Sequence, residues 1–198
     1  MGLKNKEPVY LTRGIEMKRV TREEILDYVT YVEQRDEIRE KVLKIKETLR
    51  IHLGDNLTFL FENHDTIYYQ IQEMMRIEQI VKEADIQHEI NTYNEILGEP
   101  GDLGCTLMIE IDDPAERDVK LRAWLGLSGK IYLTTASGEK IFAQFDPKQV
   151  GDDRLSSVQY LRFSMAGLSP VAIGVAHEKM NIEAPLTSTQ SDALAKEI

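Results

Sequence analysis

The apolar positions of the chain change period near its middle. Up to Leu97 they recur mainly three and four residues apart, the spacing of one helix face. After Gly101 they recur mainly two apart, the spacing of one strand face. Residues 1–20 show neither period and read as an extended arm. It is basic around Arg13, Lys18 and Arg19, with Val9-Tyr10-Leu11 a short strand or docking segment. Thr21 with Glu24 forms a Thr-x-x-Glu capping box, which predicts a helix start. Ile25, Val29 and Val32 share one face; Ile38, Val42, Ile45 and Leu49 share another. The step from Ile25 to Ile38 turns a helix by about 140° at ~100° per residue. The pattern therefore predicts two helices, or one bent near residues 34–36, with Gly54 as the stop. Leu57–Phe61 reads as a strand buried on both faces. Asn63-His64-Asp65 opens a long helix running to about residue 84, and Ile86, Ile90, Tyr93 and Leu97 mark another amphipathic stretch.

Gly98-Glu99-Pro100-Gly101 is a turn, and residues 105–111 follow it as a strand. Asp113-Pro114 then opens a helix, Asp as N-cap and Pro at the first position, ending near Gly126. Residues 131–135 and 141–145 flank a hairpin turn at Ala136-Ser137-Gly138-Glu139. Residues 158–165 and 171–178 flank a second at residues 166–170. Helices first and strands later predict an α+β fold, an N-terminal helical half packed on a mostly antiparallel sheet. The expected organisation is an arm over residues 1–20, one α+β domain over 21–183, and a small, polar, flexible tail with a weak helix over 184–198.

Composition narrows the function classes. The chain has 198 residues, and 24 Lys+Arg against 34 Asp+Glu leave a formal charge of −10. That balance argues against non-specific nucleic-acid binding, which needs clustered cations. No apolar run approaches the ~18–20 residues that span a bilayer, and no hydrophobic segment follows the polar N-terminus. The single cysteine, Cys105, excludes an intrachain disulfide and fits a cytoplasmic location.

The predicted long helix carries most of the candidate chemistry. Within about 80° of Ile67 lie Ile71, Met74, Met75 and Val81. Glu78 falls inside that apolar stripe, where a carboxylate must be paired, protonated or bound to a ligand. Either a site residue or half of a structural ion pair satisfies this. The opposite side carries Tyr69, Gln72, Glu73 and Arg76, a solvated face or a contact surface. Glu62 and His64 stand at the strand-to-helix corner, where capping by Asn63, Asp65 or Thr66 competes with a ligand-site reading. The candidate binding set is therefore Glu62, His64, Gln72, Glu73, Arg76 and Glu78.

Other motifs weigh less. His52, His64, His88 and His177 have no metal-ligand spacing, and His88 reads as a surface residue. Cys105 shares parity with Leu107, Ile109 and Ile111 and reads as buried packing. Glu110, Asp112, Asp113, Glu116 and Asp118 form an acidic cluster that helix capping accounts for. Walker, Rossmann and Gly-x-Ser-x-Gly patterns are absent.

Longer motifs carry a family resemblance. Leu57-Thr58-Phe59-Leu60-Phe61-Glu62-Asn63, Gln70-Ile71-Gln72-Glu73-Met74, Arg76-Ile77-Glu78, Tyr93-Asn94-Glu95-Ile96-Leu97 and Thr106-Leu107-Met108-Ile109-Glu110-Ile111 together resemble the bacterial domain-of-unknown-function family numbered 3501. The resemblance spans roughly residues 20–145 and brings no assigned activity. It implies protein partners of the rubrerythrin-like or iron–sulfur type, hence an accessory or binding protein supporting redox, iron or peroxide-related chemistry. Lacking a cysteine cluster, the chain cannot itself hold a four-cysteine iron–sulfur centre. The alternative is an enzyme or sensor that binds a metal or small ligand in a Glu/His/Arg pocket around the long helix. The arm offers a route to a homo-oligomer.

Overall fold

The computed structural model describes residues 19–198, so all of the expected arm except Arg19 and Val20 lies outside the described residues. Thr21 and Glu24 do pair: the Glu24 carboxylate accepts the Thr21 N–H at 2.8 Å. They close only a 3-10 turn, Arg22–Glu24. Asp27 accepts the N–H groups of Val29 and Thr30 and caps the first true helix, α1, Tyr28–Leu49. Of the two expected arrangements, a pair of helices or one helix running through residues 34–36, the chain forms the single helix. Its buried residues are Tyr31, Val42 and Leu49, eleven and seven residues apart and so within about 20° of one line. Ile25 is buried ahead of the helix, whereas Val29 and Val32 are exposed, because Tyr31 leads the packing face.

Gly54 does not stop α1. The chain runs straight into strand β1, Arg50–Leu53, and Gly54, at φ +61°, turns it back into β2, Leu57–Phe61. His52 therefore stands on a strand, its Nδ1 2.9 Å from the Thr58 hydroxyl, and not at a helix edge. Helix α2, His64–Glu78, begins as expected: Asn63 accepts the Thr66 N–H and the Thr66 hydroxyl accepts the Asn63 N–H. It ends earlier than the pattern predicts, because Gln79 turns left-handed at φ 54°. Helix α3, Glu83–Leu97, follows.

The remaining elements are β3 (Asp102–Ile109), α4 (Pro114–Ala123), β4 (Ile131–Thr135), β5 (Lys140–Phe142), β6 (Val158–Ser164), β7 (Pro170–His177), β8 (Met180–Pro185) and α5 (Ser188–Leu194). The helical N-terminal half and the antiparallel strands make the fold α+β. The strands form two sheets, ordered β1-β2-β3-β6 and β5-β4-β7-β8, where one was expected. The β4–β5 hairpin forms as predicted. The second does not: β6 pairs with β3 in one sheet, and β7 pairs with β4 and β8 in the other. The turn at residues 166–170 crosses between sheets. Period alone marks both strands but cannot name their partners.

The sheets approach one another at both edges, β1 beside β8 and β5 beside β6, where Gln144 bridges Arg162. Between them lies the larger core, including Phe59, Phe61, Cys105, Leu107, Leu161, Phe163, Leu133 and Ile173. All five residues of β2 are buried, Thr58 included, because one side meets this core and the other lies under α1. α3 lies directly on β3. A Cβ at Gly104 would stand 1.9 Å from the Ile96 carbonyl oxygen, so only glycine fits there. A second core joins Ile67, Ile71 and Met75 of α2 with Ile86, Ile90 and Leu97 of α3, Val20 and Ile25.

The stretch from Ala184 departs from the expected polar tail. It completes β8 and forms α5, capped by Thr187 and Gln190. Leu194 is fully buried, Gln190 donates to the Arg50 carbonyl at 3.1 Å, and Glu197 accepts from Asn63 at 2.9 Å.

Candidate functional site

The six candidate residues near α2 do not converge on one pocket. Glu78, expected within an apolar stripe, is the last residue of α2 and is exposed. Val81, which extended that stripe, lies past the helix and is 73% exposed. Glu73, expected on a solvated face, is only 9% exposed. It is thus the carboxylate that needs partners.

Those partners come from α1 and from one turn further along α2. Glu73 Oε1 accepts from the Tyr31 hydroxyl at 2.7 Å and Arg35 Nε at 2.8 Å; Oε2 accepts from Arg35 Nη2 at 2.9 Å. Arg76 adds contacts of 3.3 and 3.2 Å. The Arg35 guanidinium holds the Glu73 carboxyl at about 2; burial opposes this, and Arg76 and Tyr31 reinforce it. Burial, then the hydrogen bond to Glu73, pushes the Tyr31 hydroxyl well up. Five donors already occupy a carboxylate that offers roughly four lone-pair directions. Glu73 is therefore saturated and holds α1 to α2, as a structural ion pair does.

The other candidates are also engaged. Glu62 accepts from the Thr106 hydroxyl at 2.7 Å. His64 Nε2 lies 3.2 Å from Glu24 and Nδ1 3.2 Å from Asp65, and its ring stacks on Tyr68. Gln72 is buried, with Nε2 3.4 Å from the Tyr68 hydroxyl. His88 is exposed, and Cys105 is fully buried, its thiol pushed far up by desolvation. In the acidic cluster, Asp113 caps the Glu116 N–H at 2.7 Å and Asp118 pairs with Arg122 and Arg154. Among the described residues, no three His, Cys, Asp or Glu side chains come together in a way that could hold a metal ion.

A well-formed concavity lies elsewhere, between α3 and the outer face of β6, with a volume of about 730 Å³. Tyr93, Glu89 and Glu95 come from α3, and Tyr160 and Arg162 from β6. Phe145 and Asp146 come from the segment after β5. That segment is pinned at both ends: Gln144 exchanges backbone hydrogen bonds with Arg162 at 2.8 and 2.9 Å, and Gln149 accepts the Tyr160 N–H at 3.0 Å.

Both arginines of the groove are already neutralised. Arg19 pairs with Glu99 at 3.2 Å and donates to the Gly98 carbonyl at 3.0 Å. Arg162 lies 3.4 Å from Asp102 and donates to Gln144 at 3.1 Å. Glu89 and Glu95, in contrast, have no hydrogen-bond or ion-pair partner among the described residues. Burial raises the Tyr93 hydroxyl, Gln70 lowers it, and Tyr160, Glu89 and Glu78 raise it further. Glu78 thus adds to the negative field at Tyr93 without lining the groove.

Sequence reasoning missed this groove because it joins residues some 70 positions apart. Two signals were present. Tyr160 and Arg162 share the outward parity of β6, and Glu89 and Tyr93 stand i,i+4 on α3.

Comparison with known proteins identifies relatives and no activity. A family model described as "Protein of unknown function (DUF3501)" matches residues 19–198. A crystal structure of a novel protein of unknown function from Burkholderia pseudomallei is similar at a TM-score of 0.84 and 27% identity, covering 91% of this chain and 100% of that one. No curated protein matches the chain. Among the described residues, no helix is long and apolar enough to cross a membrane.

Proposed function

The chain belongs to the DUF3501 family, whose description carries no reaction, and from that premise we propose that the protein is a binding protein whose ligand occupies the groove between α3 and β6. The observation that carries this reading is a concavity of about 730 Å³ walled by tyrosines from two different elements, with its arginines already paired. Volumes of ~300–1,000 Å³ suit drug-sized molecules, and aromatic walls supply contact area at low entropic cost. The walls are preorganised. α3 is fixed on β3 through Gly104, and the opposite wall is tied to β6 at Gln144 and Gln149. The expected rubrerythrin-like or iron–sulfur partner rests on the resemblance and enters no step of this reading.

The test is a fragment screen by saturation-transfer NMR, with amide shifts mapping each hit. Hits should cluster on the amides of residues 89–99 and 144–162 and vanish in Tyr160→Ala. Tyr160 is 40% exposed, so that change leaves the cores intact. Hits that map elsewhere, or that survive Tyr160→Ala unchanged, overturn the proposal.

A further inference from the structure

Resting on that reading, we infer that the groove takes an organic cation, a molecule carrying a protonated amine or quaternary ammonium beside an apolar body. The charge on the walls is the first argument. Two arginines face four carboxylates, Glu89, Glu95, Glu99 and Asp146, across one opening. Arg19 is engaged by Glu99, and Arg162 by Asp102 from beneath the lining. Asp146 accepts the Lys148 N–H at 2.9 Å, yet a capping hydrogen bond leaves its charge in place. Glu89, Glu95 and Asp146 thus remain without a cationic partner among the described residues. An entering anion would meet this field with no free guanidinium to receive it.

The second argument is the rings. Tyr93 and Tyr160 line the groove from α3 and β6. A tyrosine face attracts a cation held within about 6 Å of its centre, more strongly where water is excluded. The chain already makes such contacts elsewhere, with Lys140 Nζ 3.9 Å from the Tyr132 ring centre. Carboxylates beside aromatic faces are the chemistry that separates an ammonium from a neutral molecule of the same shape. Tyr93 is half-buried and Glu89 is its neighbour one turn earlier on α3, so the two present one ring and one charge to the same ligand.

The third argument is the character of the walls beside the charge. Ile96 and Phe145, both half-buried, supply apolar lining beside the carboxylates, which suits a cation with an apolar body better than a bare metal ion.

The experiment compares three probes of one shape: phenethylammonium, 2-phenylethanol and phenylacetate, titrated into uniformly ¹⁵N-labelled full-length protein at pH 7. Phenethylammonium should shift the amides near Tyr93 and Tyr160 with at least tenfold tighter binding than 2-phenylethanol, and phenylacetate should bind most weakly. Glu89→Gln combined with Glu95→Gln should weaken phenethylammonium about tenfold and leave 2-phenylethanol unchanged. Glu89 is partly exposed and Glu95 exposed, so this double change does not disturb the cores. Equal or tighter binding of the alcohol or the carboxylate overturns the cation inference while the groove still binds. If none of the three shifts the groove amides at millimolar concentration, the inference and the binding reading both fall.

Discussion

Replacing Glu73 by Gln removes one charge and almost no volume from the contact between α1 and α2. The carboxyl sits at about 2, against an ordinary value of 4.5. At about 1.4 kcal/mol per tenfold change in proton affinity, that gap is worth about 3 kcal/mol of folding stability at pH 7. Arg35 and Arg76 are 29% and 30% exposed, so water screens them in part and brings the expected loss to about 2–3 kcal/mol. The folded carboxyl is held below its unfolded value. Its stabilisation is therefore complete above pH 4.5 and is lost as pH falls toward 2. Urea unfolding of wild type and Glu73→Gln at pH 7 and pH 3 reads both quantities. The difference between the two proteins should be about 2–3 kcal/mol at pH 7 and less than half that at pH 3. Other carboxylates titrate alike in both proteins and cancel. A difference below about 0.5 kcal/mol at pH 7, or one unchanged at pH 3, would refute the argument that Glu73 is an ionised, saturated pair.

Gly104→Ala should lower stability by roughly 1–3 kcal/mol, the range of overpacked cores, because its Cβ would meet the Ile96 carbonyl; thermal unfolding followed by circular dichroism checks this. The Cys105 thiol, fully buried and pushed far above its ordinary value, should stay inert to a disulfide reagent in native buffer and react stoichiometrically in urea. Asn94→Ala should speed hydrogen exchange at the Val20 amide by at least tenfold, since Asn94 accepts that N–H at 3.0 Å and donates to the Val20 carbonyl at 2.8 Å.

Elements with their own local signals were legible. Asn63 and Asp113 announced α2 and α4 through side-chain caps, and the leucine, threonine and phenylalanine run of β2 announced burial on both faces. The candidate site was misread for a geometric reason. α2 is packed on more than one side, and the side that meets α1 is polar: Thr66 and Glu73 are buried although neither is apolar. Glu73 follows Thr66 by seven residues, only about 20° round the helix, so the two stand together toward α1. An apolar stripe finds one contact face and is blind to one built from hydrogen bonds. Extending that stripe to Val81 placed Glu78 inside it, whereas the helix stops at Glu78. The groove was harder still, since strand parity tells which side Tyr160 faces and never which helix waits there.

The separation of β6 and β7 into different sheets also has a consequence in time. The β4–β5 hairpin closes over a short turn, while β3 finds β6 only after about 50 intervening residues have been placed. By loop-closure entropy the longer closure costs about 2 kcal/mol more before any contact repays it, and such pairings are the slow ones. Until β6 arrives, β3 offers an unpaired edge along one of the most apolar strands of the chain. The step that completes the first sheet therefore also shields its most adhesive edge, so crowding and slow synthesis threaten this protein during assembly more than they threaten the finished molecule.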